Sequence, residues 1–129
     1  MLKAIEEYLY GIKKAMLGFY EDYLVSSLIY QDCKHLNGLT ELKSGRTIKE
    51  LERRFFLSFI IRQVEALSKQ EGKLGMICDV RSDKLGTLNM LKIIGFKEVA
   101  RGDLYNENRE DAILMKSFDG NSLFYPQYL

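Results

Sequence analysis

One stretch limits this chain more than any other. An apolar run, Met76-Ile77-Cys78-Asp79-Val80, is stopped by Arg81-Ser82-Asp83, and an amphipathic segment follows at once and ends at Gly95-Phe96. The run is short and bounded, so residues 75–80 read as a buried strand. Leu85, Leu88, Leu91 and Ile94 step by three, which puts them on the inner face of a helix from about Asp83 to Ile94. Ser82 can cap that helix, Asp83 suits the positive end of its dipole, and Gly95 supplies the stop. A helix that starts directly after a strand gathers free backbone N–H groups at one point, and such points bind phosphates and other anions.

The chain around this unit is long enough for one domain over residues 1–129, 47% hydrophobic and 29% charged. Nineteen basic and eighteen acidic residues leave a formal charge of +1, which is no electrostatic footprint for duplex nucleic acid. Cys33 and Cys78 are the two cysteines, and Cys78 reads as a small buried hydrophobe. With one histidine and no Cys-x-x-Cys, no metal site is expected. No segment approaches the roughly 20 apolar residues of a membrane span. The acidic start argues against a signal peptide, so a cytoplasmic protein is the expectation.

Residues 2–17 carry Leu2, Ile5, Leu9, Ile12 and Met16 at spacings of three and four, a pattern that predicts a helix on the core, ended by Gly18. A coiled-coil seam is the sharper version of the same reading. Residues 23–32 favour a strand, Asn37-Gly38 signals a hairpin turn, and a second strand fits residues 39–43 until Ser44-Gly45. Residues 47–71 are open between one long helix and a strand over 47–55 followed by a shorter helix ending near Gly72, with the second preferred. Residues 97–104 and 112–118 read as two more strands joined by the polar Asn106-Glu107-Asn108-Arg109. The tail at 121–129 is aromatic. Apolar area on the first helix and in the tail suggests a homodimer.

Residues 72–118 resemble the GNAT superfamily of acetyl-coenzyme A-dependent acyltransferases. Gly72, Met76 to Val80, Arg81-Ser82-Asp83, Leu88, Gly95-Phe96 and Ala112-Ile113-Leu114-Met115 fall at the spacings of that family's strand, turn, helix and two closing strands. The resemblance implies an α/β mixed central sheet flanked by helices, with the hairpin at Asn37-Gly38 as its second and third strands. It implies acetyl-CoA as the acyl donor and an amine, on a small molecule or a protein, as the acceptor. It also locates the family's glycine-rich pyrophosphate loop at Glu52-Arg53-Arg54-Phe55-Phe56-Leu57, where the glycines are absent. Side chains must then replace backbone donors there, and Arg53 and Arg54, with Ser82, Asp83 and Lys84 at the other helix start, are the expected cofactor-binding residues.

The resemblance also implies a carboxylate in this region as proton acceptor, which makes Glu50 and Glu52 the expected ones, with Glu41 on the hairpin as a further carboxylate. The family's tyrosine acid falls on Leu91, which donates no proton, and Tyr105 is the residue that could replace it. A Cys33–His35 nucleophile pair is conceivable but lacks a third member. The resemblance thus leaves two functions: an N-acyltransferase, or a degenerate domain of the same fold that binds CoA or another protein.

Overall fold

A computed structural model describes residues 2–9, 12–49 and 56–119. Seven strands form one sheet: β1 (Leu2–Leu9), β2 (Lys13–Tyr20), β3 (Tyr23–Asp32), β4 (Leu39–Thr47), β5 (Gly75–Arg81), β6 (Lys97–Gly102) and β7 (Asp111–Ser117). Helix α1 (Phe56–Gln70) links β4 to β5, and α2 (Leu85–Ile93) links β5 to β6. The spatial order is β1-β2-β3-β4-β5-β7-β6. All neighbouring strands run antiparallel except β4 and β5, which are parallel.

The expected first helix does not exist. Residues 2–20 form the β1–β2 hairpin, and its register pairs Ile5 with Leu17 and Ala4 with Gly18. The same apolar positions satisfy both periods in part, and pairing of β2 with β3 decides between them. Gly18 is not a helix stop. A Cβ there would lie 3.0 Å from Ile60 Cγ2, so the glycine lets α1 approach β2. The coiled-coil reading and the helical face invoked for a homodimer fall with the helix. The strands flanking Asn37-Gly38 become the third and fourth, since a strand pair precedes them.

β3, β5, β6 and β7 lie where expected to within two residues. β4 runs past Ser44-Gly45 instead of breaking there. Leu28 pairs with Gly45 and Tyr30 with Leu42, so Ile29 opposes both Lys43 and Ser44 in a β-bulge that bends β4. α1 matches the shorter-helix option. Ile48 and Lys49 lie off the strand, and residues 50–55 fall outside the described residues.

Both helices stop as the sequence predicts. Phe96 N–H reaches Leu91 O at 2.9 Å and Gly95 N–H reaches Lys92 O at 3.1 Å, with Gly95 at φ 109°. Lys73 N–H to Ser68 O and Gly72 N–H to Lys69 O repeat the pattern after α1, with Gly72 at φ 80°. This crossed pair of hydrogen bonds needs a left-handed residue at its centre, which glycine supplies without strain.

Both helices pack on one face of the sheet. Ile60, Ile61 and Val64 of α1 and Leu88 and Leu91 of α2 share one core with Met16, Leu28, Leu42, Met76, Cys78 and Leu114. Leu85 departs from the expected inner face and is exposed. On the opposite face Leu17, Ile29, Ile77 and Ile113 are half-buried, and no helix covers them among the described residues. A smaller cluster of Cys33, Leu39 and Met115 closes one end of that face.

Candidate active site

The site is built by the one parallel pair. β4 and β5 pair from Leu39↔Gly75 to Leu42↔Cys78 and then part. Beyond that point β4 follows β3 to Thr47, and β5 follows β7 to Arg81. The bulge at Lys43 and Ser44 falls where the pairing ends, so the bend in β4 opens the fork. Inside the fork the β5-facing peptide groups of residues 43–47 have no strand partner among the described residues. They are hydrogen-bonding groups left free for a ligand. α1 and α2 both begin at this carboxyl end of the parallel strands, the place where open α/β sheets bind ligands.

Two carboxylates flank the fork on the open face. Glu41 pairs in register with Ile77, and its Oε1 accepts a hydrogen bond from Gln31 Nε2 at 3.1 Å and an ion pair from Lys43 Nζ at 3.0 Å. Asp79 is the first β5 residue past the last parallel pair, and it is exposed. Tyr105, from the loop after β6, donates its hydroxyl to Asp79 Oδ2 at 2.7 Å. That bond, then burial and the charge of Asp79, push the Tyr105 phenol up to about 12. The phenol therefore keeps its proton throughout the neutral range. On the helix face of the same strand, burial pushes the Cys78 thiol up to about 12, so it is no nucleophile.

The start of α2 differs from expectation. The helix begins at Leu85, its N-cap is Lys84, and no side chain caps it. Ser82 turns elsewhere: its N–H and its hydroxyl both donate to Glu110 O, at 3.0 and 3.1 Å. Asp83 pairs with Arg81 at 2.7 Å instead of facing the dipole. No added Cβ on Gly86, in the first turn, would meet an atom within 4 Å, so the helix start is open to approach. Ser82, Asp83 and Lys84 thus sit together at the end of β5, with Lys84 the exposed cation among them.

Glu50, Glu52, Arg53 and Arg54 fall outside the described residues. Tyr105 is brought to the fork. Cys33 is buried under Leu39, His35 is exposed, and no hydrogen bond joins them among the described residues. Sequence reasoning missed Asp79, which sits inside an apolar run; the signal available was that a carboxylate interrupts a buried strand one residue past Cys78. Among the described residues no group of acidic, histidine or cysteine side chains is placed to hold a metal ion, and no helix is long and apolar enough to cross a membrane.

No protein-family model matches the sequence, and no curated protein matches it. Solved structures do. The IAA acetyltransferase from Bacillus cereus aligns with a TM-score of 0.73 and 11% identity over 81% of this chain and 77% of that one. A GNAT family acetyltransferase from Elizabethkingia anophelis with acetyl-CoA bound gives 0.73 and 11% over 81% and 76%. The ribosomal-protein-S18-alanine N-acetyltransferase from Escherichia coli gives 0.68 and 14% over 80% and 67%. Taken with the forked parallel pair, these alignments establish that the chain has the fold of the GNAT acetyltransferases.

Proposed function

We propose that this protein transfers an acyl group from acetyl-CoA to an amine. The observation that carries the reading is the fork: a parallel pair joined from Leu39↔Gly75 to Leu42↔Cys78 and opened by a bulge. It is supported by the fold and by the acetyl-CoA bound to the Elizabethkingia anophelis protein.

The residues present fit such a ligand. Free peptide groups along β4 suit the amide-bearing arm, and the uncapped start of α2 suits phosphate. Lys84 and Ser82 stand at that start, and Arg53 and Arg54 precede α1. When bound, acetyl-CoA supplies an acyl thioester, already activated toward nitrogen. Asp79 takes a proton from the incoming ammonium, which frees the lone pair that forms the new C–N bond as the C–S bond breaks. A backbone N–H of β4 inside the fork, past the last parallel pair, is the donor for the oxygen on which charge develops. The nitrogen gives up two protons in all. One goes by way of Asp79 to solvent, and the other passes to the leaving sulfur through solvent, while Tyr105 keeps its hydroxyl on Asp79 Oδ2.

The open apolar face around Leu17, Ile29, Ile77 and Ile113 favours a second reading, a protein-binding module that retains the fork. Two measurements separate them. Acetyl-CoA at 100 times its dissociation constant should stabilise the protein by about 2.7 kcal/mol, and thiol release with a panel of primary amines should follow. A thermal shift without thiol release supports the binding module; no shift at millimolar acetyl-CoA rejects the acyltransferase.

A further inference from the structure

The loop that carries Tyr105 is tied down at more than one point. Asp103 accepts the backbone N–H of Glu107 on Oδ1 and that of Asn108 on Oδ2, each at 3.0 Å. Asn106 and Asn108 take left-handed backbone angles of 58° and 55°, which asparagine tolerates better than most residues. The loop closes on Asp111, the first residue of β7. Asp111 is 1% exposed, and its Oδ2 is buried without a hydrogen bond. The nearest cation to that oxygen is Arg109, with Nε at 3.5 Å. The Arg109 guanidinium also lies over the Tyr105 ring, 5.7 Å from its centroid. A chain of contacts therefore runs from a buried carboxylate, through a guanidinium and a ring, to the carboxylate at the fork.

Burying Asp111 is costly unless its charge is compensated, and Arg109 lies against it at 3.5 Å, with the exposed Glu107 as a second carboxylate 3.5 Å from the guanidinium. A guanidinium so held offers a flat cationic face to Tyr105. We propose that Arg109 is a positioning residue: seated on Asp111, it fixes the Tyr105 ring so that the phenol hydroxyl stays on Asp79 Oδ2. One oxygen of Asp79 is then engaged before an amine arrives, and the proton of the amine falls to Oδ1. This inference rests on the reading of Asp79 as the proton acceptor.

The charges that act on Tyr105 are those of Asp79 of β5, Asp111 of β7 and Glu41 of β4, and Arg109 of its own loop lies over its ring. Against that setting, a clamp and a mere neighbouring charge predict opposite signs. Removing a cation raises a phenol pKa; losing the hydrogen bond to Asp79 lowers it. The test is the pH titration of the protein labelled with 13C at the tyrosine ζ carbon, with Tyr105→Phe to assign the signal and circular dichroism to confirm the fold at each pH. The native Tyr105 signal should ionise above the ordinary tyrosine range, and Arg109→Ala should move it back toward that range by a pH unit or more. A signal that stays in place or moves upward overturns the clamp. If Arg109→Ala fails to fold, Arg109→Gln, which leaves the charge of Asp111 in place, must show the same downward shift. Native protein whose melting temperature ignores acetyl-CoA would overturn the catalytic purpose instead, whatever Tyr105 does in the titration.

Discussion

The two faces of the sheet are made from the same strands and do different work. On the helix face, Met16, Leu28, Leu42, Met76 and Leu114 lie under α1 and α2, and Ile60 and Val64 have no exposed area at all. Its polar side chains find partners: Thr40 and Ser68 share a hydrogen bond at 2.8 Å, and Lys116 meets Glu65 at 2.6 Å. On the open face, half-buried isoleucines alternate with Glu41, Asp79 and Arg81, and an exposed loop supplies Tyr105. Strand alternation produces this division, because neighbouring residues point to opposite sides. Cys78 and Asp79 show it within one step: the first is buried against the helices and the second reaches Tyr105. Stability is concentrated on one face, which leaves the other free to carry charge at the fork.

The comparison breaks most readily at its stable side. Ile60→Ala should cost about 3 kcal/mol in chemical denaturation, since the side chain is wholly enclosed. Ile29→Ala, on the half-buried face, should cost clearly less; equal losses would mean that something else covers the open face. Asp79→Asn inverts the test. It should leave the melting temperature within a degree or two while lowering acyl transfer about a hundredfold, a barrier of about 2.7 kcal/mol. A large loss of stability with activity retained would return Asp79 to a structural role.

Replacing Arg53 and Arg54 together by alanine should remove the thermal shift produced by CoA without changing the unliganded melting point. An unchanged affinity would move the diphosphate elsewhere. The smallest effect is a pH dependence on the helix face. Burial opposes ionisation of Glu65, but hydrogen bonds and charge from Lys116 and Lys69 outweigh it and hold the carboxyl below its ordinary 4.5. A depressed folded-state pKa gives stability that is present above the unfolded value and is lost as pH falls through the folded one. Glu65→Gln should therefore flatten the loss of stability as pH falls below about 4.5. An unaltered acid limb would show that other carboxylates control it.

The sequence was most legible where local chemistry decides the structure. Gly72 and Gly95 stop their helices because only a left-handed residue can close the crossed hydrogen bonds there. Asn37-Gly38 turns the chain between β3 and β4, with Gly38 at φ 83°. The strand at 75–81 is apolar, short and bounded, so it reads as a strand in isolation. From these elements alone the mixed sheet and the strand–turn–helix beside the site followed, and with them the resemblance to the GNAT fold.

What only the tertiary structure decided depends on partners distant in the chain. Residues 2–20 satisfy a helical period, yet β2 lies against β3 and Gly18 lies under Ile60, so pairing prevails over local pattern. The bulge that opens the fork exists because Leu28 and Tyr30 take Gly45 and Leu42 as partners, a register that no local signal specifies. Tyr105 could be named from its place before a turn, but Asp79, Asp111 and Arg109 became a connected set only when β5 and β7 were paired. Short-range rules settle where elements begin and end, because their hydrogen bonds close within a few residues. Register, bulges and the meeting of side chains across strands are set by burial summed over the whole sheet.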